Sequence, residues 1–178
     1  MTWKVKRGRR AAGILSLVAL LALPLSGCGF YSFTGASVPE HLNTIAIPLV
    51  ENNTTSPLTN LSDVLTQEMI DRFVGLTKLR LQPVEEEADV VLTARLQQYT
   101  NQPASVSAND RAALNRVSIT VNVRYYDRVK DTELLSRSFT GSAEYDPLVA
   151  GLAGEEQAAQ IALENVADDI FTAATSNW

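Results

Sequence analysis

Two alternating runs constrain this chain more than anything else in it. Val90, Leu92, Ala94 and Leu96 alternate with Val91, Thr93, Arg95 and Gln97. Val117, Ile119, Val121, Val123 and Tyr125 alternate with Arg116, Ser118, Thr120, Asn122 and Arg124. A period of two puts every second side chain on one side of an extended backbone. The runs predict two half-buried antiparallel strands, apolar on one face and wet on the other. Asn101 to Leu114, polar and carrying Pro103 and Asn109-Asp110, reads as the loop between them. After a tight turn at Lys130-Asp131-Thr132, a further strand is expected from about Glu133 to Tyr145. Leu135, Phe139, Ala143 and Tyr145 face inward there, and Arg137 interrupts that row.

The rest of the body supplies shorter strands and two helices. Thr44 to Leu49 reads as a strand with Ile45, Ile47 and Leu49 on one face, and Pro48, which has no N–H, makes it an edge strand or a strand end. Turn chemistry follows from Glu51 to Pro57. Leu58, Leu61, Leu65, Met69 and Phe73 then step by three or four and form one helical stripe, with Asn60 as cap, Asp63 at a capping-box position and Gly75 at the end. Leu79 and Leu81 belong to a short strand closed by Pro83, and Glu85-Glu86-Glu87 is a charged turn. Gly151 and Gly154 open a second helix, whose stripe is Ala159, Leu163, Val166, Ile170 and Ala174. The order predicts an α+β fold: a two-layer sandwich with a four- to five-stranded, mostly antiparallel sheet, two helices on one face and the polar face open.

The amino terminus is built differently. Lys4, Lys6, Arg7, Arg9 and Arg10 precede an apolar run from Ala11 to Leu23, and Pro24 and small residues lead to Leu25-Ser26-Gly27-Cys28. This is the basic, apolar and small-residue order of an export signal. The apolar run is shorter than the ~20 residues of a membrane span. The cysteine after Leu-Ser-Gly marks a lipoprotein signal, so residues 1–27 are expected to be cleaved and Cys28 to carry a diacylglycerol and an N-acyl chain. Residues 28–40 form a short lead-in that keeps the body close to the membrane, and residues 41–178 form a single domain.

Charge and residue inventory exclude several classes of function. Cleavage removes five of the fifteen basic residues and none of the twenty acids, so the net charge moves from −5 to −10. Such acidity disfavours nucleic acid. Cys28 has no partner for a disulfide, and one histidine is no zinc cluster, so no metal is expected. His41, beside Glu40 where the lead-in meets the body, reads as a surface residue. Glu155-Glu156 and Asp168-Asp169 read as solvated helix faces, because helical neighbours point apart. Glu85 to Glu87 with Asp89 lack the ligand spacing of a calcium loop, and no glycine-rich phosphate loop is present. No catalytic residue is assigned. One constellation remains. Arg95, Arg116 and Arg124 lie on the polar faces of adjacent strands, with Arg111 and Arg128 nearby. Guanidinium forks suit phosphates and carboxylates, so these arginines are either an anion- or partner-contacting face or an ordinary surface balanced by neighbouring charges.

Several segments taken together resemble a known family: Cys28-Gly29-Phe30-Tyr31-Ser32-Phe33-Thr34-Gly35, Ile45 to Thr54, Asp71-Arg72-Phe73, Ala88 to Leu92, Ala113 to Arg116 and Tyr125-Tyr126-Asp127. The set is similar to the LptE family of lipopolysaccharide-assembly lipoproteins, in its Bacteroidetes-type form. The resemblance implies a non-enzymatic protein anchored in the outer membrane by Cys28 and facing the periplasm. It implies a plug inside the LptD β-barrel, which inserts lipopolysaccharide into the outer leaflet, and contact with lipopolysaccharide itself. The alternative is an accessory lipoprotein of a cell-wall synthase or a secretion complex.

Overall fold

The two alternating runs form the centre of the sheet. The computed structural model describes residues 37–104 and 114–176. The expected signal segment, Cys28, most of the lead-in and the loop around Arg111 lie outside the described residues. In chain order the strands are β1 (Thr44–Ala46), β2 (Glu51–Asn52), β3 (Arg80–Leu81), β4 (Val90–Pro103), β5 (Asn115–Asp127) and β6 (Thr132–Tyr145). Helix α1 spans Leu61–Gly75 and α2 spans Pro147–Thr175. Strands β4, β5 and β6 make an antiparallel meander. Strand β1 lies between β3 and β4, parallel to both, and β2 pairs in parallel with β4 farther along. The architecture is the expected α+β sandwich. The sheet has six strands rather than four or five, and parallel pairs occupy one side of it.

Pro48 explains part of the difference. It sits in the break between β1 and β2, so it ends a strand, and β1 itself is internal. Ile45 and Ile47 are buried as expected, but Leu49 is 62% exposed and Val50 takes the inward place. The break shifts the phase, and the alternation does not carry across it.

A β-bulge explains another. The pairing runs Leu96 with Val121 and then Gln98 with Thr120, leaving Gln97 without a partner. One extra residue reverses the parity of everything beyond it. Before the bulge the even-numbered residues of β4 are buried. After it Tyr99 packs toward the core, opposite Ile119. Strand β4 therefore continues to Pro103, through residues that read as loop.

The core lies between the inner sheet face and both helices. Leu58, Leu61, Leu65, Met69 and Phe73 on the first stripe are buried, as are Ala159, Leu163, Val166, Ile170 and Ala174 on the second and Val117 to Tyr125 on β5. The Phe73 ring lies 5.4 Å from Phe171, edge to face, and 5.8 Å from Tyr125, joining both helices to the sheet. Gly141 on β6 lets α2 come down onto the strand: a Cβ there would sit 2.0 Å from the Ala162 carbonyl oxygen. Arg137 does point to the inner side. It is exposed at the sheet edge, with its guanidinium 4.5 Å over the Phe139 ring.

Both helix starts differ from expectation. Asn60 makes no side-chain cap bond. Its backbone is not extended (φ −97°, ψ 5°), so its amide is not aimed at the first-turn N–H groups. Helix α2 begins four residues before Gly151, where Asp146 Oδ1 accepts from the N–H groups of Leu148 (2.9 Å) and Val149 (3.3 Å) and Pro147 occupies the first turn. Gly151, at φ 52°, kinks the helix in a conformation that side chains rarely adopt.

Candidate partner-facing site

The outward residues of β5 and β6 form a continuous polar ladder. Opposite one another stand Arg116 and Glu144, Ser118 and Ser142, Thr120 and Thr140, Asn122 and Ser138. The hydroxyls of Thr120 and Thr140 are 3.0 Å apart, and Asn122 Nδ2 donates to Ser138 Oγ at 3.4 Å. Between Arg116 and Arg124 nothing apolar interrupts this ladder, because the pleat sends Val117, Ile119, Val121 and Val123 to the other side.

Each of the three singled-out arginines has a glutamate. Arg95 Nε donates to Glu51 on β2 at 2.6 Å, Arg116 Nη2 to Glu144 on β6 at 2.6 Å, and Arg124 Nε to Glu133 on β6 at 2.8 Å. The Arg124 guanidinium also lies 4.6 Å over the Tyr126 ring, whose hydroxyl donates to Asp131. Arg95 holds the Glu51 carboxyl below its ordinary range through its hydrogen bond and its charge. Exposed pairs of this kind add little stability. Arg95 and Arg124 line one shallow hollow with Asn122 and Thr93. Arg116, eight residues from Arg124 along β5, stands about 27 Å away. The structure thus brings two of the three arginines together, each with an acid that a partner's carboxylate or phosphate would have to displace.

His41 is not a plain surface residue. Its Nε2 lies 2.6 Å from Asp127 Oδ2, and Asp127 is fully buried. Asp127 Oδ1 also accepts from Lys130 N at 2.9 Å. Burial pushes the Asp127 carboxyl up, but the Lys130 N–H and His41 outweigh it and hold it below the ordinary carboxylate range. Beside it, Asp89 Oδ2 accepts from Asn43 N (2.7 Å) and Thr44 N (3.0 Å), and Thr44 Oγ1 accepts from Asp89 N (2.9 Å). These bonds fasten the start of the body to β4 and β5. The inward row of β5 gave a signal for Asp127, since period two continues from Tyr125 to it. Nothing local pointed to a histidine 86 positions away.

Two acids read as solvated have partners. Glu155 Oε1 accepts from the Tyr99 hydroxyl at 2.5 Å, and Asp168 Oδ1 accepts from Arg72 Nε at 2.5 Å. Arg72 also binds Glu68 on its own helix and the Glu164 carbonyl on α2, so it bridges the helices, and folding supplies contacts that spacing within one helix does not reveal. Among the described residues no three His, Cys, Asp or Glu side chains converge as a metal-ligand set, and no helix is long and apolar enough to cross a membrane.

The sequence matches the LptE family, described as Lipopolysaccharide-assembly, over residues 42–174. No curated protein matches it. Solved structures share the fold at low identity. A hypothetical protein from Chlamydia trachomatis aligns over 76% of this chain and 99% of its own, with 13% identity and a TM-score of 0.51. A protein from Xanthomonas campestris covers 77% and 89% respectively, at 14% identity and TM-score 0.53. A neuraminyllactose-binding hemagglutinin homolog from Helicobacter pylori covers 77% and 88%, at 9% identity and TM-score 0.54.

Proposed function

The chain belongs to the LptE family of lipopolysaccharide-assembly lipoproteins, and from that premise we propose that it plugs and helps assemble the LptD β-barrel translocon, which inserts lipopolysaccharide into the outer leaflet. The family is not enzymatic, and its task is assembly in the cell envelope. On this reading Cys28 carries a diacylglycerol and an N-acyl chain. These hold the protein in the outer membrane, facing the periplasm, since stable anchoring needs more than one chain.

The observation that carries the reading is the unbroken polar ladder on the open side of the meander. A large barrel has a polar lumen, and a body meant to stand inside it needs a polar wall of its own with its core closed off behind. Arg95, Arg116 and Arg124 are the positions on that wall where a partner's anionic group would exchange with Glu51, Glu144 and Glu133.

Affinity isolation of the tagged full-length protein from outer membranes tests this. A large β-barrel recovered in near-equal amount is expected. Recovery of a cell-wall synthase or a secretion component instead would refute the plug and favour an accessory role. Cys28→Ala is expected to accumulate as an uncleaved precursor without acyl mass, read by intact-mass spectrometry.

A further inference from the structure

The first turn of α2 carries a feature that the polar ladder does not explain. Leu148 is 86% exposed, Val149 84% and Leu152 63%. Single exposed apolar side chains are ordinary. No other stretch of five described residues gathers three large ones that are this exposed. We propose that the turn Pro147–Leu152 is a docking tip that seats in an apolar, basic-rimmed pocket of a protein partner. The partner's identity as the barrel rests on the plug reading.

The tip is built to project. Asp146 ties down two of its N–H groups, Ala150 N donates to the Asp146 carbonyl at 3.0 Å, and Pro147 fixes the backbone at its start. Gly151, with ψ −137°, turns it off the line of the helix that follows. A turn held in this way loses little freedom on binding. Its place in the molecule also matters. Ser37 N donates to the Thr175 carbonyl, so the described chain enters at the far end of α2. Past the kink at Gly151 the helix runs on to Thr175, about 36 Å at 1.5 Å per residue. The tip therefore lies at the opposite end of α2 from where the described chain enters.

Charge selects the occupant. No lysine, arginine or histidine follows Arg137 in the sequence, and Asp146, Glu155 and Glu156 flank the tip, while Glu144 is paired with Arg116. Anionic headgroups and phosphorylated lipids are repelled by such a collar. Lysines or arginines around a protein pocket complement it.

A photo-reactive benzoylphenylalanine placed at Leu148 of the full-length protein, in cells with their native envelope, tests the proposal, with the same probe at Leu49 as control. The expected result is an adduct from position 148 to the barrel that the unaltered protein co-isolates. Leu148→Ser with Val149→Ser should lower that co-isolation at least about tenfold, the loss of a buried anchor residue, at unchanged melting temperature and membrane fractionation. Glu156→Lys should also weaken it. An adduct to lipid alone, an adduct to a second copy, no adduct, or undiminished co-isolation of the double variant each overturns the tip. If the unaltered protein isolates no barrel, the plug reading fails. The tip then stands only if position 148 crosslinks to whichever identified protein is isolated and both variants release it.

Discussion

The two faces of the meander share every backbone atom and differ in what holds their side chains. On the inner face, Val117 to Tyr125 are buried against α1 and α2, and Gly141 brings the Ala162 carbonyl almost onto the strand. On the outer face, Ser118, Thr120 and Asn122 stand between polar residues of β4 and β6, and the arginines end in exposed ion pairs. Stability is therefore concentrated on one side of a layer one residue thick. The other side is free to be shaped by a partner, because altering it leaves the packing behind it in place.

Substitutions on each side sharpen this contrast. Phe73→Ala should have the largest effect, about 3–5 kcal/mol in a two-state melt, since it removes the ring that joins α1 to Tyr125 and Phe171 and leaves a cavity. Gly141→Ala should cost about 1–3 kcal/mol by forcing α2 off the strand. A hydrogen–deuterium measurement should show faster exchange in both β6 and α2. Arg95→Glu with Arg124→Glu should shift stability within about 0.5 kcal/mol per site, yet weaken isolation of the proposed barrel partner. A large loss of melting temperature in that double variant, or unaltered partner recovery at normal protein levels, would break the division between the faces.

Acid tests the place where, among the described residues, a charge is buried. Asp127 and Asp89 both hold their carboxyls below the ordinary value of 3.8. In the unfolded chain they take up protons first as the pH falls, so their contribution is full at neutral pH and is lost on descent through the folded values. Asp127→Asn should lower the melting temperature at neutral pH and flatten its fall below about pH 5 relative to the unaltered protein.

What could be read in advance follows from how local each determinant is. The row Val117 to Tyr125 was legible because its period is uninterrupted, and the stripe Leu61 to Phe73 because its spacing fits one helix. The alternation of β4 was legible only to Gln97, since the bulge reverses the phase, and Asn101 to Pro103 then read as the start of a polar loop. The start of α2 was written in Asp146-Pro147, but the glycines at 151 and 154 drew the boundary later; one of them is a kink inside the helix. The glutamate partners of the arginines depend on strand register, and the parallel insertion of β1 between β3 and β4 on pairing over tens of residues. No local pattern encodes either. At the candidate site the arginines were legible, and their state of pairing was not.

Arg137 has a consequence for the protein before it meets any partner. Among the described residues strand β6 ends the sheet, and its fourteen residues, with no proline or lysine, offer a template on which a second chain could add and begin a polymer. The guanidinium over Phe139 points to the side where such a chain would have to pack. An added strand would cut it off from water without supplying an acid. Arg137 is thus an inward-side charge at the last strand of the described sheet, a kind of residue that disfavours edge-to-edge addition of a second chain.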